Sequence, residues 1–236
     1  MSTVLIAHSH RHRSGSFIIR VCPIQWNREC ALSEADRQKW DQRYSAGAYS
    51  QRRYPCALLA DFLPRLPRGR ALDLGCGAGR NALFLAAAGY EVDAIDISSV
   101  ALERARANAQ PTSGKVHWIE ADLEAASAER LLPKHRYALI LMVRYVNMAL
   151  IATLPDRLAD GGHLLVEQHL RAPGADAGPQ DPAFRLRANE LLHAAGDLRV
   201  VYYREDLVEE PDGRTAALAQ LIACRGAAFF ETPHSG

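Results

Sequence analysis

The chain has 236 residues, 48% of them hydrophobic and 23% charged, and is therefore long enough to bury one core of ordinary domain size. Its 28 Lys and Arg residues balance 27 Asp and Glu residues for a formal net charge of +1, which excludes a global basic field that would attract nucleic acid or an anionic membrane. The longest apolar stretch, residues 138–143, is too short to cross a bilayer, and residues 4–7 are too short for a signal peptide, so we expect no membrane partner.

The cysteines indicate a redox environment. They show no C-x-x-C pair and no zinc-site spacing, and their number is odd: Cys22, Cys30, Cys56, Cys76 and Cys224. This pattern predicts free thiols in a reducing compartment, and we expect a cytoplasmic protein.

The first part of the chain differs from the rest. It is polar and basic, and its alternating His8, His10 and His12 have no fourth ligand nearby, so no metal site is predicted. We expect residues 1–32 to form a poorly ordered extension and residues 33–236 to form one domain.

Regular elements are predicted from residue 33 onward. Ser33 is a plausible N-cap for a polar helix that runs to Tyr44, and Pro55 opens a second helix that runs to Leu63. Strands are then predicted near residues 70–74, 91–95, 115–119, 137–143, 162–168, 198–204 and 216–224, and helices near 80–88, 99–109, 148–159 and 185–194. This alternation predicts an α/β fold, a mostly parallel sheet covered on both faces, with ligands at the carboxyl ends of the strands. The Pro- and Gly-rich segment 172–182 is predicted to be a loop at that end and a candidate lid.

A glycine-rich turn follows the first of these strands. Gly75, Gly77 and Gly79 join the strand to a helix, and glycine lets a ligand approach the backbone where the helix presents free N–H groups. A dinucleotide-binding turn has the spacing G-x-G-x-x-G, but position 80 is Arg and the spacing here is G-x-G-x-G. In addition, Asp73 stands two residues before the first glycine. The spacing therefore argues against an NAD-dependent oxidoreductase.

Two further acids end the next two predicted strands. Asp96 lies about 20 residues beyond the first glycine, where nucleotide-binding α/β folds place a ribose-binding acid. Asp122 ends the strand after that, in an Ala-Asp-Leu segment. Each acid has a simpler interpretation as a solvated loop residue or a helix N-cap.

With these three motifs in order, the chain resembles the class I S-adenosylmethionine-dependent methyltransferases, whose first motif is an acid followed by G-x-G-x-G. The resemblance implies a Rossmann-like three-layer sandwich with a seven-stranded, mostly parallel sheet and an antiparallel last strand. It also implies S-adenosyl-L-methionine as the cofactor, whose ammonium and sulfonium cations suit carboxylates. The cofactor-binding residues that it implies are Asp73, Gly75, Cys76, Gly77, Gly79, Asn81, Asp96, Ile97, Asp122, Leu123 and Val143.

Within this class, residues 36–225 resemble a bacterial branch related to the tellurite-resistance and thiopurine methyltransferases. The shared segments are Trp-Asp-x-Arg-Tyr, Gly-Cys-Gly-x-Gly-Arg-Asn and Gly-Gly-x-Leu-Leu-x-Glu, the last of which matches Gly161, Gly162, Leu164, Leu165 and Glu167. The resemblance implies that Trp40, Arg43, Tyr44 and Glu167 cover the cofactor or substrate. Docking of the first helix on the sheet explains the two aromatic residues nearly as well.

The candidate catalytic residues lie at the ends of the fourth and fifth strands. Arg144 and Tyr145 would face the acceptor, Arg144 as a donor to an anionic or thiolate group, although a structural salt bridge explains Arg144 equally well. His169, beside Glu167, is a candidate general base. A soft thiol or chalcogen oxyanion would need no strong base.

These observations favour a methyltransferase for a small-molecule acceptor. The first alternative is an enzyme that methylates RNA or protein, which the balanced charge disfavours but a local face of arginines would permit. The second is a non-catalytic cofactor-binding sensor or partner subunit.

Overall fold

The computed structural model describes residues 34–50, 52–110, 115–124, 128–210 and 212–226. In chain order, the elements are helices α1 (Glu34–Ser45) and α2 (Ala57–Phe62), strand β1 (Arg70–Leu74), α3 (Arg80–Ala87), β2 (Glu91–Asp96), α4 (Ser99–Asn108), β3 (Val116–Glu120), α5 (Ala128–Leu131), β4 (Tyr137–Val143), α6 (Met148–Ile151), β5 (Leu158–His169), α7 (Glu190–Ala194), β6 (Arg199–Glu209) and β7 (Thr215–Cys224). The expected extension over residues 1–32 and the Ser33 cap lie outside these residues. Among the described residues, no helix is long and apolar enough to cross a membrane.

The seven strands form one sheet in the order β3-β2-β1-β4-β5-β7-β6. Strands β1 to β5 pair in parallel, whereas β7 runs antiparallel to both β5 and β6. The predicted sheet, including its antiparallel last strand, is confirmed. Successive strands run outward from β1 to β3 on one side of the sheet and from β4 to β5 on the other. The strand order therefore reverses between β1 and β4, and the edge formed by the carboxyl ends of the parallel strands at this point is called the ligand edge.

Apolar residues cover both faces of the sheet, as a doubly covered parallel sheet requires. One cluster packs Leu72, Ile140 and Leu164 of the sheet beneath α5, α6 and α7, and the other packs Leu139 and Leu165 beneath α2, α3 and α4. Alternate residues of each strand therefore supply opposite faces. The result is the three-layer arrangement that the sequence predicts.

The helix predicted over residues 148–159 is wrong in its extent. The α-helix ends at Ile151, a 3-10 helix spans Leu154–Arg157, and β5 already begins at Leu158. Pro155 lacks the N–H that an α-helical turn needs, and it sits at the start of the 3-10 turn. Similarly, the helix predicted over 185–194 begins only at Glu190, since residue 186 pairs with Leu170 in an isolated parallel bridge.

The predicted loop over residues 172–182 is held in place by one side chain. Arg185 donates to the carbonyl oxygens of Pro179, Leu170 and Ala177 at 2.7, 3.2 and 2.9 Å. The loop also covers His169, because a Cβ placed on Gly178 would lie 2.5 Å from the Nδ1 atom of that histidine. The segment is thus a packed cover over the end of β5.

Candidate cofactor and acceptor site

The glycine turn lies between β1 and α3 and adopts a backbone that favours glycine. Gly75, Gly77 and Gly79 have φ angles of 68°, 54° and 79°, in the left-handed region that side chains disfavour. The N–H groups of Gly75 and Cys76 donate to the carbonyl of Ile95 at 2.9 and 3.0 Å, which ties the turn to the end of β2. The turn is therefore fixed by its neighbouring strand, and it places the N-terminus of α3 at the ligand edge.

Each glycine of the turn faces an aromatic side chain. A Cβ on Gly75 would lie 2.7 Å from Tyr145 Cβ, and one on Gly79 would lie 2.5 Å from the ring of Trp118. A Cβ on Gly77 would collide with the Tyr44 hydroxyl. The aromatic side chains therefore leave no room for a Cβ atom at these three positions. A ligand that contacts the turn would also lie close to these aromatic side chains. Trp118 was not predicted as a site residue, because its only signal in the sequence is an aromatic residue in a short strand that ends at the ligand edge.

Asp73 is buried below the turn. Its side chain is 1% exposed, and its Oδ2 atom has no hydrogen-bond partner in the part of the chain that the structure describes. Burial is the main cause that raises the pKa of this carboxyl to about 7, and Asp96 raises it further, whereas Arg80 lowers it. An unpartnered carboxylate oxygen in this position fits a cationic group of a ligand, since an ionised acid is costly to bury unpaired.

Asp96 connects the turn to the next helix. Its Oδ2 atom accepts from the N–H of Gly77 at 2.7 Å, and its Oδ1 atom accepts from the N–H of Ser98 at 2.9 Å. Burial raises the pKa of Asp96, and these backbone hydrogen bonds oppose the rise. Ser98 also caps α4 and donates its hydroxyl to Asp41 of α1 at 2.6 Å. The acid therefore holds the glycine turn, α4 and, through Ser98, α1 in one arrangement.

The third acid sits one strand further out. The Oδ1 atom of Asp122 accepts from the N–H of Glu124 at 2.8 Å, and Leu123 is buried beside it. Ile97 and Val143, after β2 and at the end of β4, are also buried. Asp122 thus has the simple turn-forming role that its sequence allowed, and its second carboxylate oxygen remains available within the described contacts.

Helix α1 lies over the turn. Tyr44 is its one buried residue, and burial raises the pKa of its hydroxyl. Arg104 donates to the carbonyls of Tyr44 and Ala48 at 2.7 and 3.0 Å and so fastens the end of α1 to α4. Trp40 and Arg43 stack on each other instead, with the guanidinium carbon 5.1 Å from the ring centroid. Of the predicted cover residues on α1, Tyr44 contacts the turn directly.

Arg144 follows β4 with a φ angle of 60°, an uncommon value for a residue with a side chain. Its Nε donates to Glu167 at 2.9 Å, its Nη1 to His169 at 3.0 Å and its Nη2 to Glu210 at 2.7 Å. Gln220 donates to the other oxygen of Glu167 at 2.8 Å. Both interpretations of Arg144 remain: it forms a buried ion pair, and it stands at the ligand edge. Glu210 was missed, because nothing in its hairpin sequence marks it.

His169 is neutral in this network. Arginine can only donate, so the Nε2 atom that faces Arg144 is the acceptor and the ring proton is on Nδ1. That Nδ1 atom is buried without a partner among the described residues. Burial, followed by the charges of Arg144, Arg185 and Arg52, lowers the pKa of His169 to about 3. The ring has no free lone pair with which to take a proton from an acceptor.

The remaining residues predicted for the site make contacts that stabilise the fold. Asn81 accepts from the N–H of Cys56 at 3.0 Å, ahead of α2, and Tyr145 donates its hydroxyl to Glu124 at 2.7 Å. Burial raises the pKa of the Cys76 thiol, which therefore stays protonated within the turn. Among the described residues, no group of three or more His, Cys, Asp or Glu side chains could hold a metal ion.

The sheet has the strand order of a Rossmann-like methyltransferase fold, with an acid near the end of β1, a G-x-G-x-G turn after β1, an acid at the end of β2 and another after β3. Residues 71–162 match the methyltransferase domain family.

Solved structures of low sequence identity share the fold. TehB from Haemophilus influenzae superposes with a TM-score of 0.61 and 21% identity, over 78% of this chain and 67% of that chain. Magnesium protoporphyrin IX methyltransferase from Synechocystis PCC 6803, with bound S-adenosylmethionine, has a TM-score of 0.50 and 20% identity, over 80% and 79% of the two chains. The [4+2]-cyclase SpnF has a TM-score of 0.60 and 16% identity, over 81% and 95%. The last shows that this fold alone does not define the reaction.

A curated relative matches only a short segment. Hemagglutinin 1 of Eikenella corrodens is 61% identical over 33 residues, which are 14% of this chain and 11% of that protein. The match spans about a tenth of that relative and carries no functional argument.

Proposed function

We propose that the protein transfers a methyl group from S-adenosylmethionine to a small molecule whose acceptor atom is a soft nucleophile, a thiol or a chalcogen oxyanion. The observation that carries the proposal is the pairing of a cofactor-type turn with an acceptor edge at which Arg144 engages the candidate bases Glu167 and His169. The structural similarity to TehB supports the assignment to the bacterial methyltransferase branch that the sequence resembles. The free, buried thiols of Cys56, Cys76 and Cys224 accord with the reducing, cytoplasmic setting that we propose for it.

The cofactor fits the residues at the turn. Asp73 and the backbone of Gly75 and Gly77 would hold its amino-acid part, Asp96 its ribose hydroxyls, and Asp122 with Leu123 its adenine. When bound, the cofactor supplies a methyl group made electrophilic by the sulfonium. Tyr44 and Tyr145, which contact the glycines, would then form the wall of the site and exclude water from it.

The acceptor side supports a soft nucleophile. In-line attack on an activated methyl needs alignment above all, and a base only when the acceptor is protonated at working pH. His169 has its lone pair engaged by Arg144, and Glu167 accepts from both Arg144 and Gln220. Neither side chain is therefore assigned the role of base, and proton removal is left to the acceptor's own acidity.

Replacing His169 with alanine is therefore expected to change kcat/KM by less than about threefold, because the ring serves as a hydrogen-bond acceptor rather than a base. Methyl transfer from labelled S-adenosylmethionine to 3-mercaptopropionate, well below the unfolding temperature, measures this. His193→Ala, at an exposed position of α7, is the matched control. A loss of a hundredfold or more for His169→Ala alone would restore the role of general base.

Binding of S-adenosylhomocysteine is expected to strengthen with pH. A pKa of about 7 means that Asp73 binds a proton at low pH and loses it as pH rises through 7, and the cationic ammonium of the ligand prefers the ionised form. If only ionised Asp73 binds well, the affinity rises by up to about tenfold between pH 6 and pH 8. Calorimetric titration across this range measures the slope, and Asp73→Asn should remove it. A flat profile in the unaltered protein would contradict the placement of the ammonium at Asp73.

The experiment that tests the proposed function has two stages. Calorimetry with S-adenosylhomocysteine, beside NADH, tests the cofactor: micromolar binding of the former alone is expected. A panel of acceptors, led by 3-mercaptopropionate, 2-mercaptoethanol and selenite, then tests transfer. Cofactor binding without turnover on any small acceptor, but with salt-sensitive RNA binding or transfer to protein, would favour a macromolecular substrate. Binding without any turnover would favour a non-catalytic sensor.

A further inference from the structure

The network around Arg144 contains one contact unlike the others. Glu167 and His169 belong to β5 and are 2% and 6% exposed, so the sheet itself places them against Arg144. Glu210 comes instead from the connection between β6 and β7, and its side chain is 11% exposed. Its carboxylate reaches the Nη2 atom of Arg144 at 2.7 Å, across 66 residues of sequence. A partner on a hairpin can withdraw without disturbing the sheet, whereas the two partners on β5 cannot.

Arg144 also occupies the place where an acceptor would bind. It follows the last residue of β4, and β4 pairs with β1, where Leu74 is aligned with Met142 just before the glycine turn. The next residue, Tyr145, lies against Gly75. The backbone of Arg144 is thus beside the glycine turn, while its guanidinium extends toward β5, and its Nη2 atom meets Glu210 of the hairpin.

The charges around this point favour a replaceable anion. Besides burial, the charges of Arg52 and Arg185 lower the pKa of His169, and those of Arg52 and Arg144 lower the pKa of Arg80, so several cations act on this part of the protein. Gln220 of β7 donates a hydrogen bond to Glu167 and so holds this carboxylate within the sheet. If Glu210 withdrew with nothing in its place, Arg144, with a side chain only 14% exposed, would lose a charged partner, which is unfavourable for a mostly buried charge. An anion of similar size in the same position would avoid that cost.

We propose that Glu210 is a specificity-determining residue: its carboxylate occupies the anion position on Arg144 in the empty enzyme and is displaced by the carboxylate or oxyanion group of the acceptor. This inference rests on the proposed function, but the displacement of the Glu210 carboxylate by an anion does not require catalysis. An anionic acceptor gains the contact with Arg144, and a neutral acceptor of the same length does not. The enzyme therefore selects acceptors that carry a negative group a short distance from the nucleophile.

The test compares Glu210→Gln with Glu209→Gln, a neighbouring exposed glutamate at the end of β6. Propionate, an unreactive anion, is titrated calorimetrically into each variant, with and without S-adenosylhomocysteine. Glu210→Gln is expected to bind propionate about tenfold more tightly than the unaltered protein, or about 1.4 kcal/mol, because the internal competitor has lost its charge. Glu209→Gln should match the unaltered protein.

A kinetic arm gives the second readout. For Glu210→Gln the KM for 3-mercaptopropionate should fall about tenfold, while the KM for neutral 2-mercaptoethanol and the affinity for S-adenosylhomocysteine stay unchanged. Equal or weaker propionate binding in Glu210→Gln, or no measurable binding in either protein, would overturn the proposal. Because the propionate titration also runs without cofactor, it gives its answer even if S-adenosylhomocysteine fails to bind, a result that would count against the proposed function instead.

Discussion

Replacing Asp96 with alanine is expected to weaken binding of S-adenosylhomocysteine by about 100-fold, or about 2.7 kcal/mol. Two losses combine: the acceptor for the ribose hydroxyls disappears, and the N–H groups of Gly77 and Ser98 lose the carboxylate that positions them at 2.7 and 2.9 Å. Hydrogen bonds to a charged, buried group are among the stronger ones in proteins. Calorimetry at a temperature well below unfolding measures the effect.

Two variants separate binding from folding in this experiment. Asp96→Asn keeps one acceptor oxygen and should lose about tenfold in affinity. Asp41→Asn removes the acid on the far side of Ser98 without altering the glycine turn, and it should lose less than threefold, about 0.6 kcal/mol. An affinity within threefold of the unaltered protein for folded Asp96→Ala would show that the acid supports the turn without contacting the ligand.

Replacing Gly75 with alanine is expected to abolish detectable binding of S-adenosylhomocysteine and to reduce the free energy of unfolding by about 3 kcal/mol. A side chain at a φ of 68° costs about 1–2 kcal/mol by itself. The new Cβ would also lie 2.7 and 2.8 Å from the Cβ and Cγ atoms of Tyr145, the rigid root of that side chain, so the turn or β4 must shift, at about 1–3 kcal/mol. Urea unfolding measures the stability term.

Gly89→Ala is the matched control for this prediction. Its φ of 91° carries the same kind of backbone strain, but nothing lies within 4 Å of the added Cβ. It should lose about 1–2 kcal/mol of stability and keep its affinity for S-adenosylhomocysteine. Equal losses of stability in the two variants, with binding retained in both, would show that Tyr145 yields readily and that the turn tolerates a side chain at Gly75.

The local features of this protein could be predicted from its sequence. All seven strands were predicted because buried strands are short apolar runs between turn-forming residues, although β5 begins four residues earlier and β6 ends five residues later than predicted. The glycine turn could be predicted because a backbone with positive φ restricts the residue type locally. The acids Asp73, Asp96 and Asp122 could be placed together because parallel strands bring their carboxyl ends to one edge. The family resemblance extended this to the antiparallel β7. Helix ends were less certain, as Pro155 shows.

Only the tertiary structure decided which side chains meet at that edge. Gly75, Gly77 and Gly79 face Tyr145, Tyr44 and Trp118, which come from three different parts of the chain. Arg144 receives Glu210 from a hairpin whose sequence carries no signal of its own. Likewise, only the structure shows that His169, a candidate base, lies against Arg144. Periodicity and backbone strain act over a few residues and leave marks in sequence, whereas the partner of a buried charge depends on how distant loops pack.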